Sequence, residues 1–138
     1  MYNKISYILI AAANDFKHIH THAVGLNFFT LHDIASDYYD ECSNQADYMT
    51  EVALEFGETM ENPSYAAEMA NWKAVNMSEY TLIDGVATMK MIMDKLYSYM
   101  EDLCEEKGIA PDVKNKVEEY MRYWSKENHY KLERLING

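Results

Sequence analysis

Apolar residues recur every three or four positions along most of this chain, the spacing that gathers them on one face of an α-helix. The first such run is Ile5, Ile8, Leu9, Ala12, Phe16 and Ile19. It predicts a helix from about Tyr2 to His22 that stops near Gly25. The second is Phe28, Leu31, Ala35, Tyr38, Cys42, Ala46, Met49, Val52 and Phe56. It reads as the inward stripe of one long helix, with Asn27 as N-cap and Gly57 as terminator. Asn62 and Pro63 open a short helix over about 64–75, since proline is tolerated in a first helical turn. Ser78 caps a third long helix, about 79–107, ended by Gly108. Pro111 and Asp112 start a fourth that runs to about Ile136, its acid well placed against the helix dipole.

Two long helices, a short one within a crossover of about 20 residues, and two more long helices make an all-α chain. Uniformly tight loops would give an up-and-down bundle; one long crossover gives the ferritin-like connectivity of a four-helix bundle. Residues 1–138 form a single domain, because no repeat, low-complexity tract or linker interrupts the pattern. The scarcity of breakers, 5 Gly and 2 Pro, argues the same way against a many-stranded β fold.

Charge narrows the classes of partner. Lys and Arg number 12 against 23 Asp and Glu, a formal net charge of −11. Such a surface repels nucleic acid and anionic membrane and attracts cations. No basic tail is available to make phosphate contacts, so DNA binding is not expected. The apolar run from Ile5 to Ala13 mimics a signal peptide, but its helical periodicity continues to Ile19 and it is too short to span a bilayer. With only Cys42 and Cys104, the chain is expected to keep reduced thiols in a cytoplasmic setting.

The chemistry concentrates between His20 and Glu51. A lone histidine on a helix is ordinarily a packed structural residue, and the triplet His18, His20, His22 is no stronger a signal by itself. Helical phase changes the picture. At about 100° per residue and with His32 at zero, Ser36 lies near 40°, Asp47 near 60° and Glu51 near 100°. These residues share one side of the second helix, yet His32 and Asp47 stand about 22 Å apart along its axis. One ion cannot touch both within one chain. However, His32 with Glu51, and Ser36 with Asp47, are placed symmetrically about residues 41 and 42. A second copy of this helix, antiparallel across a two-fold axis there, brings Asp47 and Glu51 beside the partner's His32. An isologous dimer then carries two equivalent sites. His20 folds back over the start of the second helix. Two imidazoles and two carboxylates suit iron, manganese or zinc.

This segment resembles the signature of the Dps family, mini-ferritins that protect DNA during starvation. His20, Gly25, Asn27, Phe28, His32, Asp47 and Glu51 stand at the family's spacing, and helix order is similar over nearly the whole chain. The resemblance implies a hollow dodecamer with a two-iron ferroxidase site at each dimer interface, where iron(II) is oxidised by hydrogen peroxide or oxygen and stored as ferric mineral. It makes His20 and His32 the ligands from one subunit, and Asp47 and Glu51 those from its partner. The family aspartate one turn after the second histidine is Ser36 here, with Asp33 and Asp37 as neighbouring substitutes, and the usual tryptophan after the first histidine is Thr21. Family pores lie near the start of the last helix, where Asp112, Glu118 and Glu119 are the available acids. The alternatives are a Dps-shaped shell whose site has decayed at Ser36, and a DNA-protecting protein.

Overall fold

The apolar stripes meet in one core. The computed structural model describes residues 1–137, with helices α1 (Tyr2–Thr21), α2 (Phe28–Glu55), α3 (Ala66–Met69), α4 (Leu82–Cys104), α5 (Pro111–Lys126) and α6 (Glu133–Asn137). A π-helical turn, Glu127–Leu132, joins α5 to α6, so the fourth long element is nearly continuous. Helices α1 and α2 form a hairpin, α4 and α5 a second, and the 26 residues between Glu55 and Leu82 cross from one to the other. This is the expected four-helix bundle with one long crossover.

At the centre, Phe16 stacks on Trp124 (ring centroids 5.8 Å apart, planes 7° apart) and tilts against Tyr38 at 5.4 Å. The Trp124 indole N–H would be stranded in an apolar core. It donates instead to Oε1 of buried Gln45 at 2.9 Å. Gly85 of α4 sits against Leu31 of α2, and a Cβ there would come within 2.5 Å of the leucine methyls. The lack of a side chain lets α4 approach the first turns of α2.

Four expectations are corrected. The helix predicted over 64–75 is only a 3₁₀ turn, Pro63–Tyr65, followed by the single turn of α3. The chain leaves the helix at Asn71 (φ 51°) because Trp72 turns inward. Its indole donates to Asp15 Oδ2 at 2.8 Å, the Val75 N–H donates to Oδ1 at 3.2 Å, and Lys95 lies 3.6 Å over the indole. Secondly, α4 is capped by Thr81, not Ser78: Thr81 Oγ1 accepts the Asp84 N–H at 3.2 Å. The helix cannot begin earlier because the backbone of Tyr80 pairs with the end of the first hairpin turn, donating to the His22 carbonyl and accepting from the Val24 N–H, both at 2.9 Å. Thirdly, Phe28 and Phe56, placed at the two ends of the inward stripe, are exposed.

The last correction concerns the final helix, which is not uniformly α-helical. The π turn carries Glu127 and Asn128 into the interior. Lys90 Nζ supplies the Asn128 carbonyl with a donor at 2.7 Å and pairs with Glu133 at 2.8 Å, while the Asn128 amide donates to Asp94 at 2.8 Å. Buried polar groups of the turn are thereby tied to α4. Among the described residues, no helix is long and apolar enough to cross a membrane.

Candidate metal centre

The turn between α1 and α2 reverses the chain within six residues, and it needs two left-handed backbone positions to do so. Gly25 adopts φ 85° without a Cβ to obstruct it. Asn27, at φ 65°, is the N-cap residue as predicted, but it caps through its backbone: its side chain makes no capping bond, and its carbonyl accepts the N–H groups of Thr30 and Leu31. The reversal lays the last turn of α1 against the first turns of α2.

His20 and His32 meet there face to face, with ring centroids 3.7 Å apart and planes 24° apart. Their anchoring is reciprocal. His20 Nδ1 lies 2.7 Å from the His32 carbonyl oxygen, and His32 Nδ1 lies 2.8 Å from the His20 carbonyl oxygen. A carbonyl only accepts, so both Nδ1 atoms carry a proton, and in the neutral imidazoles both Nε2 atoms present a lone pair. Metal-binding histidines are typically held this way, with the second nitrogen given to a carbonyl or carboxylate. Both rings are half-buried, and neither Nε2 has a hydrogen-bond partner among the described residues. The pair is a preorganised two-nitrogen donor set.

The carboxylates lie elsewhere in the chain. Asp47 and Glu51 are exposed on the distal half of α2, about 22 Å and more along the axis from His32. Ser36 is half-buried one turn beyond His32, while Asp33 and Asp37 are exposed. Among the described residues, no three His, Cys, Asp or Glu side chains converge to hold a metal ion. A single chain thus brings together only the histidine half of the predicted set. Asp112, Glu118 and Glu119 are all exposed on α5, and Glu119 lies 3.6 Å from Lys116.

Several features were not foreseen from the sequence. His18 and His22 form a second stack, with centroids 4.1 Å apart. Burial lowers the His18 pKa, and the neighbouring His22 lowers it further. Their i, i+4 spacing was the available signal. Deeper in the bundle, Tyr38 Oη donates to Glu127 Oε1 at 3.0 Å, and Lys131 reaches the same carboxylate at 2.8 Å. Burial, and then the charge of Glu127, push the phenol far above its ordinary range. Nothing in the sequence alone pairs residues so far apart.

No family model and no curated protein matches the sequence. Solved structures do. The chain superposes on a C-terminal deletion mutant of Mycobacterium smegmatis Dps with a TM-score of 0.84 over 94% of this chain and 91% of that one. It superposes on Dps92 from Deinococcus radiodurans at 0.86 over 99% and 83%, and on antigen TpF1 from Treponema pallidum at 0.83 over 99% and 92%. Identity is 14% in each case. The protein has the fold of the Dps structures, a ferritin-like four-helix bundle with a long crossover.

Proposed function

We propose that this chain is the subunit of a mini-ferritin, a cage that oxidises iron(II) at sites shared between two subunits and stores the ferric product. The observation that carries this reading is the His20–His32 pair, whose Nε2 atoms have no hydrogen-bond partner among the described residues, while among those residues no third His, Cys, Asp or Glu converges with the pair to hold a metal ion. The missing oxygen ligands are then Asp47 of the partner subunit and Glu51 of the partner subunit, across a two-fold axis at residues 41 and 42. Iron(II) is the substrate, oxidised by hydrogen peroxide or oxygen; zinc or manganese fits the same mixed donor set. Two half-buried imidazoles orient the ion and the carboxylates offset its charge.

The exposed apolar residues of the hairpin support the same two-fold. Leu26, Phe28 and Phe29 lie at one end of α2, and Leu54 and Phe56 at the other. Under the symmetry that brings Glu51 to His32, Phe29 of one subunit lies against Leu54 of the partner subunit, so residues costly to leave in water cover each other. A dodecamer built from such dimers is the assembly the Dps likeness suggests, and the acidic surface draws cations to it. The same acidity opposes a DNA-protecting role. Ser36 supports a second reading, a shell of this shape whose oxidation site has lost a ligand.

Chains carrying Asp47→Ala and chains carrying His32→Ala, each defective alone, should partly restore iron(II) oxidation when unfolded and reassembled together. Random pairing regenerates about a quarter of the sites, because half of the dimers are mixed and one of the two sites in each mixed dimer is intact. A mixture no better than its parents rules out the shared site. A stable monomer by light scattering under native conditions rules out the cage.

A further inference from the structure

The three histidines at the end of α1 do not act as one cluster. Successive odd or even partners two residues apart point to nearly opposite sides of a helix, about 200° apart. His20 therefore turns to α2, while His18 and His22 share the other side and stack on each other, their planes 20° apart. We infer that His18 and His22 form a second metal site, for a borderline divalent cation such as copper(II), nickel(II) or zinc(II), complete within one chain. It goes beyond the proposed iron chemistry and depends on no partner subunit.

Three observations converge. His22 Nδ1 donates to the His18 carbonyl oxygen at 2.9 Å and lies 2.8 Å from Thr21 Oγ1, so its Nε2 holds the lone pair. His18 Nδ1 meets the phenol oxygen of fully buried Tyr80 at 3.0 Å, and that oxygen also accepts the Met77 N–H at 3.1 Å. Both rings are thus held by Nδ1, and neither Nε2 has a hydrogen-bond partner among the described residues. A metal on His18 Nε2 requires Nδ1 to carry the proton and donate it to the Tyr80 oxygen, which as a hydroxyl can accept as well as donate. A tetrahedral ion at about 2.0–2.1 Å from each nitrogen needs the two Nε2 atoms about 3.3 Å apart, a spacing of the same order as the 4.1 Å between the stacked ring centroids. Histidines four residues apart on one helix are a recurrent metal-chelating pair.

Electrostatics favours the same occupant. The pair sits in the last turn of α1, where unsatisfied carbonyls give the helix end a partial negative charge that stabilises cations. The donors are imidazoles with solvent in the remaining positions. Such a site ranks copper(II) first and binds zinc and nickel above manganese and iron(II). The shared site adds two carboxylates to its two imidazoles and so suits harder ions such as iron(II) and manganese better than a purely imidazole site does.

The test is titration of the assembled protein with copper(II) alone, read by calorimetry and by electron paramagnetic resonance. The double variant His20→Ala/His32→Ala, which lacks the other imidazole pair, should bind one equivalent per chain with nitrogen hyperfine structure, and adding His18→Gln/His22→Gln to it should weaken that binding at least tenfold. Equal copper affinity in the combined variant overturns the site. Should that variant not fold, zinc titration of the wild type followed by imidazole resonances decides. Concerted shifts of His18 and His22 support the site, and shifts confined to His129 or to His20 and His32 overturn it. Iron(II) oxidation by His18→Gln/His22→Gln is measured alongside, so failure here and failure of the ferroxidase reading are separable.

Discussion

Each of the paired histidines His20 and His32 is oriented by the other's main chain, through Nδ1 contacts of 2.7 and 2.8 Å to the two carbonyl oxygens. The anchors belong to the backbone, so replacing one side chain leaves the other's anchor in place. In His20→Ala, the nitrogen resonances of His32 should still report a protonated Nδ1 and a lone pair on Nε2, while metal affinity falls. A mixed tautomer population at His32 would mean that ring stacking, and not the carbonyl, sets its orientation.

Ser36 lies one helical turn beyond His32, where a carboxylate could reach an ion held by that ring. Ser36→Asp should tighten zinc(II) binding and speed iron(II) oxidation, since it adds a hard oxygen donor. The opposing effect is repulsion among neighbouring acids, which raises their pKa values without a gain. Anaerobic calorimetry at one pH distinguishes the two; unchanged or weaker binding would show that position 36 has no part in the site.

Tyr38 and Glu127 bury a phenol and a carboxylate against each other, and Lys131 touches the acid from the surface. Tyr38→Phe removes one of the few donors to a buried acid and should cost about 1–3 kcal/mol. Glu127→Leu strands the phenol and should cost a similar amount. Removing both partners leaves no orphan, so Tyr38→Phe/Glu127→Leu should be more stable than the sum of its parents predicts. Urea denaturation of the four proteins measures the coupling, and strict additivity would show that the bond contributes nothing.

Glu58 holds the start of α1, accepting the N–H groups of Tyr2 at 3.0 Å and Asn3 at 2.7 Å. Burial raises its pKa, but these donors and the terminal ammonium outweigh burial and hold it below the usual 4.5. Its contribution is therefore complete above that ordinary value and fades as pH falls through the lowered one. Glu58→Ala should destabilise the protein by about 1 kcal/mol at neutral pH, as loss of a helix cap does. The difference from wild type should shrink in acid. A gap that stays constant down to about pH 2 would exclude the carboxylate as its source.

Helical periodicity by itself determined the four long helices, their order and the long crossover, because a burying stripe such as Leu31, Ala35, Tyr38 and Cys42 is written locally at 3–4 spacing. It also determined that His32, Ser36, Asp47 and Glu51 share a face, and that one chain cannot bring the imidazoles and carboxylates together. Only the tertiary structure decided what depends on contacts remote in sequence. Trp72 leaves the crossover helix because Asp15 lies beneath it, Thr81 starts α4 because Tyr80 is tied to the first turn, and Phe28 and Phe56 fall outside the core because the bundle ends before them. The tautomers of His20 and His32 belong to that class too. Periodicity places a side chain on a face, but which ring nitrogen stays free is settled by the carbonyl that the folded neighbour presents.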